Sequence, residues 1–217
     1  MPRTPEPATP PPTSLDARGE RRAELMLEAA VAEFSAKGWR NARLGDIVAR
    51  SGGSMATLYR AFGNKQGLAH ALISREADLL VAGLLPLGND ATPPARALAE
   101  AADGVIDVLL KPETLLINRI AIADGRDVPE IRDMFFAQTV APAQDILCRY
   151  LQRQHAAGRL HAPHPAHAAR MFFMGLVGET LIRCISGIDE TPDPDRTRQA
   201  AHAALAIMLD GFRLRER

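Results

Sequence analysis

Aromatic residues and cysteines are scarce in this sequence. Phe, Trp and Tyr together make up 5% of the 217 residues, and runs of β-branched residues are also few. Alanine, leucine, arginine and glutamate are abundant instead, and because these residues form helices well, the composition favours an all-helical chain. The two cysteines, Cys148 and Cys184, lie far apart, give no disulfide framework and suit a reducing cytoplasm.

Long apolar runs are also absent. No stretch approaches the roughly 20 apolar residues that a membrane-spanning helix requires. The proline-rich start, MPRTPEPATPPPTS, lacks the apolar core of a secretory signal. We therefore expect a cytoplasmic protein with no membrane association.

Motifs of the common enzyme classes are missing. The chain contains no G-x-S-x-G nucleophile elbow, no G-x-x-x-x-G-K-S/T phosphate loop, no C-x-x-C pair and no H-E-x-x-H zinc motif. His161, His164 and His167, with His155 nearby, have a spacing that resembles a metal site, but two prolines interrupt the helical geometry that such a site needs. We expect no catalytic residue, no cofactor and no metal.

The net charge of zero conceals an uneven distribution. Residues 15–65 contain nine basic and six acidic side chains, whereas residues 66–217 contain 16 basic and 19 acidic ones. A basic end on a neutral protein is a modest electrostatic footprint for binding phosphates. A solvated charged surface is the alternative explanation. The charge pattern supports phosphate binding only together with a local motif.

Residues 44–65 have the pattern of a helix-turn-helix. Apolar residues at helical spacing end at Ser51, where Gly52 and Gly53 permit a turn with positive φ. Ser54 then stands where an N-cap hydroxyl would begin a short helix over residues 55–61. A helix of about seven residues is not stable alone, so Leu58 must pack back on the preceding helix. The other side of the short helix remains exposed, as a recognition helix requires.

This stretch resembles the N-terminal domain of TetR-family transcriptional regulators. Val48, Gly53 and Met55 depart from the commoner residues of that pattern. Residues 119–130 and 156–160 also resemble the C-terminal domain of one TetR subfamily. The positions that carry the main likeness are Ala30, Phe34, Gly38, Ile47, Thr57, Leu58, Tyr59, Phe62 and Lys65.

The resemblance implies an all-α fold of about nine helices. It comprises a disordered proline-rich tail at 1–14, a three-helix helix-turn-helix domain at 15–64, and a larger helical effector-binding and dimerisation domain at 65–217. The last two long helices, over residues 166–186 and 196–214, are expected to pair with a second copy into a four-helix bundle. Small residues among large ones there also fit an intramolecular core. Pro142 is expected to kink or split a long helix over residues 129–157.

The resemblance also assigns a DNA-binding site. Thr57, Tyr59 and Lys65 match positions that contact phosphates, which position a protein without reading sequence, although the first two also fit a packing role. A dimer would place two recognition helices in successive major grooves, so the operator should be a near-palindrome. The full set of expected DNA contacts is Arg43, Ser54, Met55, Ala56, Thr57, Tyr59, Arg60 and Lys65.

In this family a small apolar or amphipathic effector favours a conformation whose recognition helices no longer match the groove spacing. We therefore expect a repressor. Two alternatives are an activator and a helical interaction protein that uses the helix-turn-helix only for packing. For Cys148 and Cys184, a redox role and a role as buried, unreactive side chains both stay open. The expected effector contacts are Ile106, Leu116, Asn118, Arg119, Met134, Phe135, Phe172, Met174 and Glu179.

Overall fold

The computed structural model describes residues 17–189 and 191–211. Throughout this part of the chain the secondary structure is helical and contains no β-strand, as the composition predicted. Ten α-helical segments amount to nine helices, because α7 and α8 join through a π-helical turn without a break. The segments are α1 Ala17–Asn41, α2 Leu44–Ser51, α3 Met55–Phe62, α4 Lys65–Gly83, α5 Pro94–Leu109, α6 Pro112–Ile122, α7 Pro129–Phe135, α8 Ala141–Ala156, α9 Pro165–Ile185 and α10 Pro194–Asp210, with a 3₁₀ turn at Leu85–Gly88 and the π turn at Phe136–Val140.

Two sequence predictions fall outside the described residues. These are the disordered tail at 1–14 and the extension of the last helix beyond Gly211. Among the helices that the structure does describe, none is long and apolar enough to cross a membrane.

The chain divides into two compact units, the first ending at Leu68 and the second beginning at Ala69. The sequence predicted a domain boundary at the start of α4, whereas this division lies inside that helix. We refer to the two parts as unit 1 and unit 2 and describe each by itself.

Unit 1 contains a small core that packs α1, α2 and α3 together. Met26, Phe34, Ile47 and Leu58 are almost completely buried there. Trp39 is buried as well, and its ring centroid lies 5.0 Å from that of Phe34. The single tryptophan is therefore a core residue of unit 1.

Gly38 interrupts the regular geometry of α1. Gly38 leaves the helical conformation with φ 74° and ψ 163°, so the last turn, up to Asn41, is separated from the main helix. Only glycine adopts such a conformation without strain. The break brings Trp39 to the base of the small core.

Unit 2 holds the larger core. Apolar side chains of α5, α8, α9 and α10 meet in one cluster, with Ile106, Leu147, Tyr150 and Phe172 among its buried members. Nearly half of the chain is hydrophobic, and this cluster is where the long amphipathic helices bury their apolar faces.

Near Pro142 the long helix that the sequence predicted changes geometry without a break. The π turn Phe136–Val140 comes directly before Ala141, and Pro142 is then the second residue of α8. Proline has no N–H to donate and its ring clashes with the carbonyl four residues earlier, so the wider π turn accommodates it. The helix changes geometry there and continues.

Helices α4 and α5 approach each other backbone to backbone at two glycines, Gly83 and Gly104. A Cβ atom on Gly104 would lie 2.5 Å from the carbonyl oxygen of Gly83, and one on Gly83 would lie 2.9 Å from the carbonyl carbon of Gly104. Neither contact can be relieved by turning a side chain, because both obstructing atoms belong to the backbone.

Gly104→Ala is therefore expected to lower the free energy of unfolding by about 1–3 kcal/mol or more, as overpacking does in a tight core. Urea unfolding followed by circular dichroism measures the loss. Gly88→Ala is the matched control, because a Cβ at Gly88 meets no atom within 4 Å. Equal stability of the two variants would contradict the close approach of α4 and α5.

Candidate nucleic-acid interface and internal cavity

The turn between α2 and α3 depends on one glycine conformation rather than two. Gly52 adopts the left-handed conformation with φ 65° and ends α2, as the sequence predicted. Gly53 does not have a positive φ, so its predicted role was wrong. A Cβ atom at Gly53 would lie 2.4 Å from the methyl carbon of the fully buried Met26. A side chain at Gly53 would therefore displace the end of the Met26 side chain.

Ser54 caps α3. Its hydroxyl oxygen accepts a hydrogen bond from the backbone N–H of Thr57 at 3.2 Å and lies 2.9 Å from the Thr57 hydroxyl oxygen. Such a cap stabilises a helix by about 1 kcal/mol. Below it, Leu58 is completely buried against the core of unit 1. Cap and core together hold a helix that is too short to be stable alone.

The opposite side of α3 is exposed. The phenol ring of Tyr59 is 53% exposed although it belongs to a large aromatic side chain. Arg60 and Ala56 are exposed, as is Arg43, which directly precedes α2. These groups form a surface of hydroxyl, guanidinium and small apolar side chains. We call Arg43, Ser54, Met55, Ala56, Thr57, Tyr59 and Arg60 the α3 surface.

Met55 and Thr57 lie at the margin of the α3 surface, since both are only partly exposed. The Thr57 side chain already contacts the Ser54 hydroxyl. A hydroxyl group has one donor and two acceptor positions, so this contact leaves Thr57 able to bind a second group.

Lys65 is less available than the sequence predicted. Its ammonium nitrogen lies 4.9 Å from the centroid of the Trp39 ring and donates to the carbonyl oxygen of Arg40 at 3.5 Å. Burial lowers the pKa of this lysine. An ammonium group has three donors, so the bond to Arg40 leaves two for another partner. Lys65 thus contacts Trp39 and Arg40 within unit 1, in addition to any contact that it makes with DNA.

An ion network fixes α2 against α1. The buried carboxylate of Glu33 lies 2.7 Å from the Lys37 ammonium and 3.6 Å from the Arg50 guanidinium. Lys37 also donates to Asp46 at 2.9 Å, and these two carboxylates raise its pKa. The network links α2 to α1 through residues near both ends of α2.

Unit 2 contains a cavity of about 300 Å³. It lies among α4 to α9 and includes the π turn. Most of its lining is aliphatic or aromatic, as is usual for sites that bind small organic molecules. The residues that line it are Glu76, Leu80, Val105, Val108, Leu109, Thr114, Asn118, Ile122, Phe135, Phe136, Thr139, Val140, Ala143, Gln144, Phe173, Met174, Val177 and Leu181.

A few polar groups interrupt the apolar lining. Asn118 donates from its amide nitrogen to the Glu76 carboxyl at 3.3 Å and to the Thr114 carbonyl oxygen at 2.8 Å. Three buried oxygen atoms of the lining have no hydrogen-bond partner among the described residues, and they belong to the side chains of Glu76, Thr114 and Thr139. An unpaired buried oxygen costs free energy, so these groups are available to a ligand.

Burial raises the pKa of the Glu76 carboxyl to about 8, and the nearby Glu113 carboxylate raises it further, against the hydrogen bond from Asn118. The carboxyl is therefore mostly protonated at neutral pH in the folded protein. A buried carboxylate beside apolar side chains is unfavourable unless a positive group accompanies it.

As the pH rises, the Glu76→Gln variant is expected to become more stable relative to the unmodified protein. Because the pKa of Glu76 is raised on folding, its contribution to stability is complete below the ordinary value near 4.5 and is lost as the pH rises through about 8. From pH 5 to pH 8 the unmodified protein should lose about 3 kcal/mol relative to the variant. Urea unfolding at several pH values measures this difference. A parallel pH dependence of the two proteins would contradict the raised pKa.

The expected effector contacts divide between the cavity and the core. Asn118, Phe135 and Met174 line the cavity. Arg119 instead donates to the Cys184 carbonyl oxygen at 3.3 Å, and Glu179 lies 3.8 Å from Arg196 at the surface. The remaining four, which are buried or half-buried side chains outside the lining, are Ile106, Leu116, Met134 and Phe172.

Sequence reasoning missed Glu76. The signal was present, because Glu76 lies four residues after Leu72 and four before Leu80, in the middle of an apolar stripe of α4. A carboxylate at such a position is either paired or functional. The leucines of α4 indicate only that this side of the helix is packed, whereas the acid between them indicates a site.

The small residues of α9 serve packing within the chain. A Cβ atom at Gly175 would lie 2.2 Å from the methyl carbon of Met208 and 3.7 Å from the Cβ atom of Ala204. Gly175 therefore faces α10 of the same chain, and a Cβ there would displace the end of the Met208 side chain. Arg183 pairs with Asp189 at 2.7 Å.

Several large apolar side chains on α9 and α10 remain exposed. Met171 and Ile182 on α9 are about two-thirds exposed, and Ile207 on α10 is half exposed. The two helices thus present an apolar surface in addition to the faces that they bury. We call Met171, Ile182 and Ile207 the α9–α10 patch.

The histidines and cysteines take other roles. The His155 ring accepts a hydrogen bond from the Ala162 N–H at 3.4 Å. In the described residues no group of three or more His, Cys, Asp or Glu side chains is placed to hold a metal ion. Both cysteines are free thiols. Burial raises the pKa of the Cys184 thiol, which reduces its reactive thiolate fraction.

Comparison with known families gives two matches to this chain. Residues 26–72 match the model of bacterial regulatory proteins of the tetR family. Residues 96–213, more than half of the chain, match the model of the C-terminal domain of AefR-like transcriptional repressors. No curated protein sequence matches.

Solved structures share the fold. A TetR family transcriptional regulator from Pseudomonas syringae pathovar tomato is 19% identical, with 88% of this chain and 96% of that chain covered and a TM-score of 0.70. The fatty acid degradation regulator FadR from Bacillus halodurans is 18% identical, with 89% and 97% covered and a TM-score of 0.74. The flavonoid-responsive regulator FrrA is 23% identical, with 88% and 96% covered and a TM-score of 0.66.

Proposed function

This chain belongs to the TetR family of DNA-binding transcriptional regulators, and on that premise we propose that it is a repressor. It acts in the cytoplasm as a homodimer, and a small apolar or amphipathic effector releases it from operator DNA. One observation carries the proposal: a single chain combines the exposed α3 surface of unit 1 with a largely apolar cavity of about 300 Å³ in unit 2.

The α3 surface enters the major groove. Tyr59 and Thr57 contact phosphate oxygens through their hydroxyl groups, and Lys65 contacts them with the donors that its bond to Arg40 leaves free. Arg43 and Arg60 add positive charge at either side. Ser54, Met55 and Ala56 stand at the start of α3, where side chains meet base edges, and the apolar two suit a thymine methyl group. Exposure of Arg43, Ser54, Ala56, Tyr59 and Arg60 supports the assignment.

The homodimer forms through α9 and α10. The α9–α10 patch supports this, because Met171, Ile182 and Ile207 expose apolar surface that a second copy would bury. A two-fold axis presents the same patch from both subunits. The dimer then carries two α3 surfaces, and its operator is a near-palindrome.

The effector binds in the cavity of unit 2. Asn118, Phe135 and Met174 contact it directly, and α4, which contributes Glu76 and Leu80 to the lining, carries the resulting shift to the recognition helix. An effector acts only through its different affinity for the DNA-competent and DNA-incompetent conformations. The proposal therefore requires that bound DNA weaken effector binding by the same factor by which effector weakens DNA binding.

Genomic binding selection tests the function. Sheared genomic DNA is incubated with the purified protein, and the retained fragments are sequenced. We expect a shared near-palindrome upstream of a small number of genes, and expression of those genes should rise when the chain is deleted. A fall in expression would identify an activator instead.

A helical interaction protein is the second candidate, and it also predicts a clear result. In that case the protein would retain no genomic fragments and would not bind heparin, which mimics the charge of DNA. Such an outcome would remove the DNA-binding part of the proposal.

A further inference from the structure

The cavity of unit 2 contains one acidic group and no basic one. Among the described residues that line it, Glu76 is the only charged type, and no Lys, Arg or His is present. Its side chain is buried, and one carboxyl oxygen has no hydrogen-bond partner. A carboxylate or phosphate ligand would place a negative charge in a largely apolar lining where no positive group compensates it. The lining therefore disfavours anionic effectors.

Neighbouring helices leave the unpaired oxygen of Glu76 open. From α6, Asn118 donates to the other carboxyl oxygen at 3.3 Å. Glu113, also on α6, repels the ionised form. The closest Arg75 guanidinium nitrogen lies 3.9 Å from the Glu113 carboxylate. A positive group that entered the cavity would thus meet an acceptor that no other group occupies.

Aromatic rings and hydroxyl groups complete the surroundings. Phe135, Phe136 and Phe173 line the cavity, and the first two meet edge to face with centroids 5.5 Å apart. Ring faces attract ammonium groups, most strongly where water is excluded. The unpaired hydroxyl oxygens of Thr114 and Thr139 offer further acceptors. Phe136 and Thr139 belong to the π turn, a geometry that is frequent at functional sites.

We propose that the effector is a lipophilic monocation, an amine or quaternary ammonium compound whose charge meets Glu76 and whose apolar body contacts the phenylalanines. This rests on the proposed effector-released function and specifies its ligand class. A cavity of about 300 Å³ holds the equivalent of roughly 10 water molecules, so the ligand is small. Among the described lining residues no group would neutralise an anion, whereas a cation would pair with Glu76 in its ionised form.

Proton linkage gives the proposal a specific pH signature. A permanent cation binds the ionised form of Glu76, whose pKa in the empty protein is about 8. Binding below that pH expels a proton. Affinity should therefore rise about tenfold from pH 6 to pH 7 and level off above about pH 8. A neutral ligand that requires the protonated carboxyl would show the opposite trend.

Isothermal titration calorimetry with three probes of equal chain length tests the ligand class: octyltrimethylammonium, octanol and octanoate. We expect the cation to bind most tightly and octanoate most weakly. Glu76→Gln should weaken cation binding at least tenfold near pH 8 and change octanol binding less than threefold. Glu113→Gln is the matched control, because it removes a nearby carboxylate that does not line the cavity, and it should keep cation binding within threefold. Thermal unfolding verifies that both variants are folded.

Three outcomes would overturn the proposal: tighter binding of octanol or octanoate than of the cation, no loss on Glu76→Gln, or no binding of any probe. The proposed function fails separately. The cation could bind in a Glu76-dependent manner and yet leave operator DNA bound at saturation. That result would support the ligand class but contradict the proposal that the ligand releases the DNA. If another compound releases the DNA while the cation does not bind, release stands and the ligand class is wrong.

Discussion

Joint replacement of Thr57 and Tyr59 by alanine should weaken operator binding by about 100-fold or more. Each hydroxyl that contacts a phosphate contributes roughly 1.5–3 kcal/mol when it bonds a charged group, and a symmetric dimer loses each contact twice. Because phosphates carry no sequence information, the loss should be similar for the operator and for unrelated duplexes. Gel-shift titrations of both DNAs measure it.

The fold of unit 1 should survive this double replacement. Tyr59 is more than half exposed, and Ser54 can still cap α3 through the backbone N–H of residue 57. Ser35→Ala, at an exposed position of α1, is the control, and it should bind DNA as the unmodified chain does. Unaltered affinity of the Thr57 and Tyr59 variant for both DNAs would remove these residues from the interface.

Arginine at Ile182 and Ile207 together should convert the protein to a monomer at micromolar concentration. Burial of an isoleucine side chain contributes about 1.5–3 kcal/mol. The two-fold axis duplicates both positions, so the dimer loses on the order of 6 kcal/mol or more before charge repulsion is counted. Light scattering coupled to gel filtration measures the mass, and operator affinity should fall with it.

Leu85→Arg provides the matched control. Leu85 is also about two-thirds exposed and lies in unit 2, but it belongs to the 3₁₀ turn and not to α9 or α10. This variant should remain a dimer. If the Ile182 and Ile207 variant also remained a dimer, the α9–α10 patch would not be the dimer interface.

The sequence was sufficient to predict the helices and the helix-turn-helix because their signals are local. Gly38 ends the regular part of α1, Ser54 caps α3, and Leu58 is buried as its spacing required. Each of these depends on a residue and its neighbours within a few positions. Such features follow from backbone conformation and helical periodicity.

Long-range contacts were not predictable in the same way. Gly83 and Gly104 are distant in sequence, and only their meeting in space shows why neither carries a side chain. The cavity presents the same difficulty. Phe135 lines it whereas Phe172 belongs to the core, although both are buried aromatic residues on helices of unit 2. Periodicity identifies the buried side of a helix but does not distinguish filled space from empty space.

Hydroxyl-radical footprinting of the selected operator is the most direct test of whether α3 enters the DNA twice in a symmetric pair. We expect two equivalent protected regions, related by a two-fold axis and centred about one helical turn or somewhat more apart. Both should weaken together in the Thr57 and Tyr59 variant. A single protected region, or protection that this variant retains in full, would contradict the assignment of α3 as the DNA-reading helix of a dimer.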